Sequence, residues 1–272
     1  MKRAAPELLF MSGAVSQYLG AVVAVGLFTE MSPGATAWLR VLGSAAIIVI
    51  LRRSWRRRWK PDAILNAAKF GVALAAMNLC FYLAINELPL GNAVAIEFLG
   101  PLGVAAFGTR TPRAAGALIL AVAGVVILAG VEAEGTIRGV SFAMLAAVFW
   151  AMYIVLGQRV ARSPAAIDGL GLGMLAGAIA ISPFGAPDVT AALGTPWLLV
   201  LGLATGLLSN VIPYGIDQLV MQQVDRRRFA LLQALLPVTA ALIGLIFLTQ
   251  VPNLRDLTGI ALVIVSIALS RS

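Results

Sequence analysis

Polar residues along this chain fall in short clusters, and between them lie apolar runs of seventeen or more residues. A helix of about 20 residues crosses the roughly 30 Å hydrocarbon core of a bilayer. Backbone amides in that core must bond within the protein, which leaves helices or closed barrels. The runs here are continuous rather than alternating, so helices are favoured. Ten spans are predicted, at approximately 8–29, 35–51, 66–86, 92–108, 114–131, 139–158, 167–185, 196–221, 229–249 and 255–270. Lys2 and Arg3 precede the first run as they would in a signal peptide, but Ser12 and Gln17 interrupt it and nine spans follow. An uncleaved first helix is therefore expected. The expected fold class is an all-α membrane protein.

Composition agrees with that pattern. The 272 residues are 60% hydrophobic and only 12% charged, whereas soluble domains carry about a quarter charged residues. Cys80 is the only cysteine, so no intrachain disulfide is possible, and its place in an apolar run suits a small packing residue. Histidine is absent, which removes the commonest metal ligand and general base. No cofactor or metal is expected. With no paired aspartates in facing spans and no nucleophile motif, an intramembrane enzyme is the weakest option.

The net charge of +8 is informative through its location. Of the 20 basic residues, 17 fall on one side of the predicted membrane, Arg138 and Arg255 on the other, and Arg40 within a span. Basic loops stay in the cytoplasm, which predicts an inner-membrane protein with both termini cytoplasmic. RRSWRRRWK at 52–60 then reads as a topology determinant with interfacial tryptophans, able to touch anionic lipid. No nucleic-acid-binding module accompanies it. The expected partners are the lipid bilayer and a small-molecule substrate, with no obligatory protein partner evident. No connection is long enough for a soluble domain, which argues against a receptor or tethered enzyme.

The chain also repeats itself. At an offset near 136, Pro101 in IEFLGPLGVAAF (96–107) matches Pro237 in LLQALLPVTAAL (231–242). Residues 1–135 and 136–272 would each hold five spans, and an odd number inserts the second half upside down. Two inverted five-helix repeats with a site between them are a recurring transporter plan, in which the halves rock to alternate access.

Ionisable side chains inside a span are costly and point to function. Glu97 sits about five residues into the fourth span, roughly 8 Å deep. It shares a face with Gly100 and Pro101, and the proline frees an upstream carbonyl and kinks the helix. Such a carboxylate can receive a substrate ammonium or carry the coupling proton; the alternative is an ion pair tying helices together, with Arg40 in the second span as partner. Asp217 in IPYGID (212–217) is a second candidate for proton coupling, or else a residue snorkelling toward the basic 226–228 cluster. Asn78 and Tyr82 form a polar stripe on the third span, and Trp150, Tyr153 and Gly157 another on the sixth. Gln17, Tyr214 and Gln233 extend the set to the first, eighth and ninth spans. Each alone is commonly interhelical glue, whereas the spread suits a central pocket. Gly169, Gly171, Gly173 and Gly177 suit close helix packing.

MNLCFYLAINELPLGNAVAIEFLGPLGVAAF (77–107) resembles the core of the EamA-type drug/metabolite transporters, in particular the threonine/homoserine exporter branch. WAMYIVLGQR (150–159), SNVIPYGID (209–217) and PGATAWLR (33–40) match the same branch, and the resemblance runs from about residue 12 to 270. It implies ten helices in two inverted repeats, a central cavity and efflux driven by an ion gradient, with Glu97, Asn78, Tyr82, Tyr153 and Tyr214 at pocket positions. Two positions depart from the branch: Leu236 stands where it carries an acid before the ninth-span proline, and Gln250 replaces a typical glutamate. The expected function is secondary export of small amino acids or related metabolites. The rivals are the same machine carrying a hydrophobic cation, nucleobase or sugar derivative, and a non-transporting membrane scaffold or sensor.

Overall fold

A computed structural model describes residues 6–107, 111–129, 134–189, 194–224, 226–233 and 235–271. Lys2, Arg3 and Arg110 of the expected basic side lie outside those residues. Among the described residues the structure is helical, with no strand. The helices are α1 (Pro6–Leu27), α2 (Pro33–Arg52), α3 (Pro61–Ile85), α4 (Leu90–Glu97), α5 (Leu99–Ala106), α6 (Pro112–Ala129), α7 (Glu134–Ala161), α8 (Ala166–Gly185), α9 (Pro196–Gly206), α10 (Ile212–Met221), α11 (Arg226–Leu232), α12 (Leu235–Leu248) and α13 (Leu254–Arg271). Among the described residues, six segments are long and apolar enough to cross a bilayer: Leu8–Leu27, Pro33–Arg52, Pro61–Ile85, Ile137–Ala161, Ala166–Val189 and Pro196–Met221. Shorter apolar helices run Leu90–Val104, Ala115–Gly124 and Thr239–Leu248. The chain is a multi-pass membrane protein.

Prolines start α1, α2, α3, α6 and α9, where a missing N–H leaves no bond unmade. Ser32 caps α2, accepting from the Ala35 amide at 3.1 Å, and its hydroxyl donates to Asp188 at 2.7 Å. That contact ties the start of α2 to the end of α8.

Two expected spans are not single helices. The 92–108 run is divided at Phe98 into α4 and α5, and the 229–249 run is divided at 233–234 into α11 and α12. Both breaks have the same cause. Pro101 has no N–H for the carbonyl of Glu97, and Pro237 has none for that of Gln233. At the second break the Leu236 amide reaches the freed Gln233 carbonyl at 2.9 Å, tightening the chain into a turn. The eighth span is bent differently. A π-helical turn, Leu207–Val211, joins α9 to α10 just before Pro213, absorbing the proline without ending the span.

Helix α3 packs on α7 and α8, α2 on α8 and α9, and α6 on α13, while α1 lies against α10 and α12. The α3–α8 seam is the tightest. A Cβ on Gly71 would run into the Gly173 backbone, and one on Gly177 into the Gly71 carbonyl. The expectation of close packing at Gly173 and Gly177 thus acquires a partner, Gly71. Trp38 locks α2 to the same helix by donating to the Ala178 carbonyl at 3.0 Å.

Large apolar side chains such as Ile119, Val148, Ile179 and Ile246 are exposed at helix mid-heights, as lipid-facing positions are. Polar closures sit at the two ends. Around the basic loop, Asp168 at the start of α8 is buried and accepts from Ser54 at 3.0 Å, with Arg52 and Arg57 at 3.4 and 3.5 Å. The 52–60 segment is therefore a clamp on α8 as well as a run of charge. At the opposite end Arg138 pairs with Glu87 at 3.4 Å. There, too, Gln250 caps α4 by accepting from the Leu90 amide at 3.0 Å, and Asn92 donates to Asp256 at 2.8 Å. A hollow of about 140 Å³ lies beside these last groups.

Candidate functional site

Apart from the end closures, a set of buried polar side chains gathers where α1, α2, α3, α4, α7, α10 and the π turn meet. Asn78 is held on α3 by donating to the Leu74 carbonyl at 2.7 Å, and its amide also reaches Tyr214 Oη on α10 at 3.5 Å. The Tyr214 ring lies 5.4 Å from that of Tyr153, which is 5.4 Å from Phe70. Tyr153 Oη donates to Asp217 Oδ2 at 2.8 Å. Asp217 is buried and engaged by α7, so the snorkelling alternative is set aside.

Glu97 closes α4 at the break, 5% exposed. The expected Arg40–Glu97 ion pair is not formed. Arg40 is instead turned toward the π turn: Nε donates to Asn210 Oδ1 at 2.6 Å and Nη2 to the Ser209 carbonyl at 2.9 Å. The cause lies in the backbone. Pro213 offers no N–H to the carbonyl four residues before it, which is that of Ser209, so the guanidinium takes the vacancy. The guanidinium also stacks over the Tyr82 ring, 4.9 Å from its centroid.

Gln233 is buried in the break between α11 and α12, and Gln17 is half-buried on α1, its carbonyl accepting from Ser209 Oγ at 3.0 Å. Trp150 is buried edge-on to Phe98 at the α4–α5 break. Sequence reasoning missed Tyr18, Ser209, Asn210 and Gln218, all buried in or beside this cluster. Asn210 and Gln218 carried a readable signal, as amides within an otherwise apolar run.

Several of these side chains are partners at the offset that pairs the prolines. Asn78 and Tyr214 lie 136 residues apart and touch. The same offset relates Gln17 to Tyr153, Tyr82 to Gln218, and Glu97 to Gln233.

The EamA-like transporter family matches residues 137–272. The threonine/homoserine exporter RhtA of Salmonella typhimurium (strain SL1344) is 35% identical over 261 residues, covering 94% of this chain and 85% of that protein. The RhtA of Escherichia coli (strain K12) is 34% identical over 251 residues, covering 90% and 84%. One solved crystal structure superposes with a TM-score of 0.67 at 22% identity, covering 99% of this chain and 98% of its own, which is a likeness of fold.

Proposed function

This chain belongs to the EamA-like transporter family, and on that premise we propose that it exports small amino acids of the threonine/homoserine kind by ion-coupled alternating access. The carrying observation is the buried constellation: two carboxylates, Glu97 and Asp217, an unpaired guanidinium, and tyrosines and amides brought together from both halves of the chain. Groups so costly in hydrocarbon suit a site that exchanges them with a polar solute. Glu97 holds the substrate ammonium or the coupling proton, and the Tyr153–Asp217 pair is the second proton candidate. Asn78, Tyr82, Gln17, Tyr214 and Gln233 supply hydrogen bonds.

The ten spans are two inverted repeats, 1–135 and 136–272, with α4–α5, α9–α10 and α11–α12 counted as spans four, eight and nine. Packing supports this. Spans three and six pack together, as do eight and one; three and seven, as do eight and two; four and six, as do nine and one. Moving each member five places along turns each of these three pairs into the one named with it. Rocking about the breaks at Pro101 and Pro237 would open the site to either side in turn. The protein sits in the inner membrane with both termini cytoplasmic.

Efflux of labelled threonine and homoserine from loaded vesicles tests the reading. Wild type empties them down an imposed proton gradient, and Glu97→Gln slows efflux by about tenfold or more, as expected for loss of a charge-assisted contact. Unchanged efflux in the variant removes Glu97 from the mechanism.

A further inference from the structure

Arg40 is the least explained residue of the site. It is 1% exposed, and it makes no ion pair with either buried carboxylate of the cluster. Two of its nitrogens are spoken for by Asn210 and Ser209, while Nη1 is buried with no acceptor. The residues around it share the defect. Asn210 uses its carbonyl oxygen on Arg40 and leaves Nδ2 buried without a partner. Tyr82, whose ring lies under the guanidinium, keeps its Oη buried without a hydrogen-bond partner. Three buried donors around one buried cation thus lack an acceptor. Leaving even one such group unmet is destabilising, and an uncompensated charge more so.

The geometry points to a carboxylate-binding subsite, in which Arg40 Nη1, Asn210 Nδ2 and Tyr82 Oη receive the acidic group of the cargo. A carboxylate offers two oxygens and about four lone-pair sites, enough to satisfy all three donors. Stacking on Tyr82 and the bonds to Asn210 and Ser209 fix the plane of the guanidinium, so its free edge is presented rather than left to search. Glu97 is buried at the end of α4 and makes no ion pair with Arg40. A zwitterion placed between them would set its carboxylate on Arg40 and its ammonium on Glu97. The substrate class that fits is a free α-amino acid rather than an amine, ester or amide. This subsite rests on the export reading for its cargo, and on the orphaned donors for its chemistry.

Isothermal titration of the purified full chain, with threonine and threonine methyl ester as probes, reads the carboxylate alone. Wild type favours the acid over the ester by about tenfold or more. Arg40→Gln abolishes that preference; Tyr82→Phe, nearly isosteric and the deciding variant should Arg40→Gln not fold, lowers it by about threefold. Equal binding of acid and ester by wild type, or a preference intact in Arg40→Gln, overturns the subsite. A third probe, 3-hydroxybutyrate, keeps the carboxylate and hydroxyl and lacks the ammonium. If threonine does not bind while 3-hydroxybutyrate shows an Arg40-dependent preference over its own methyl ester, the subsite stands and the amino-acid cargo falls. Threonine that binds and is exported with no acid preference leaves the export reading standing and removes the subsite. No binding of any carboxylate probe overturns it as well.

Discussion

Within the site, Asp217 and Arg40 show how a buried charge is managed by what the backbone leaves free. Tyr153 supplies Asp217 with a hydrogen bond from α7, and the two side chains come from helices that pack against each other. Hydrogen bonds between helices in a membrane average well under 1 kcal/mol and reach about 1.7 kcal/mol at most. Because both partners here are buried, the upper part of that range applies. Tyr153→Phe should lower stability by about 1 kcal/mol, and adding Asp217→Asn should cost less than its effect in the wild type. Thermal denaturation of the two single variants and the double variant in detergent checks this; strictly additive losses would mean the pair is not coupled. The identity of part of the polar set, Glu97, Asp217 and Arg40 above all, was legible in the sequence, since lipid excludes such groups and each stands out in an apolar run. Their partners were not. Arg40 was expected on Glu97 because both sit at similar depth, but depth fixes only one coordinate, and the carbonyl freed by Pro213 decided the direction.

Helix-scale features follow from backbone donors and glycine placement. The α4–α5 and α11–α12 breaks each fall at or just after the residue whose carbonyl loses its donor to a proline, and that residue carries a polar side chain, Glu97 or Gln233. A hydropathy pattern cannot display such breaks, because the residues on both sides stay apolar. It also cannot say which glycine meets which. Gly71 is the single glycine of α3, among several alanines, yet it is the close approach on which the α3–α8 seam depends. Gly71→Ala should therefore destabilise by about 1–3 kcal/mol, since the neighbouring atoms are backbone and cannot rotate aside. Gly116→Ala, on α6 with nothing within 4 Å of the added methyl, should be neutral or stabilising by up to about 1 kcal/mol. Melting temperatures of the two variants should move in opposite directions or one not at all; equal losses would show a general penalty on helical glycine replacement rather than a seam.

The whole molecule is a bundle with two unlike ends. One carries the 52–60 loop, clamped on Asp168, together with Arg159 and Arg162; the other carries the Glu87–Arg138 pair and the Gln250 and Asp256 caps. Helical class, the multi-pass character and this asymmetry of charge were legible because they depend on length and composition alone. The clamp was not, since Asp168 looked like any acid at a span end. The asymmetry makes a prediction about orientation. Positive loops are retained in the cytoplasm, and 52–60 carries six basic residues in nine. In a Cys80→Ala background, Trp55→Cys and Val251→Cys place single thiols at exposed positions on opposite ends. A membrane-impermeant maleimide applied to intact cells should label the Val251 variant and spare the Trp55 variant until the membrane is opened. The reverse pattern would invert the molecule, and with it the proposed direction of export. Labelling of both in intact cells would mean dual insertion, the outcome of a charge bias too weak to choose. A bias of 17 basic residues against two is strong enough to choose, and a single orientation is the outcome it requires.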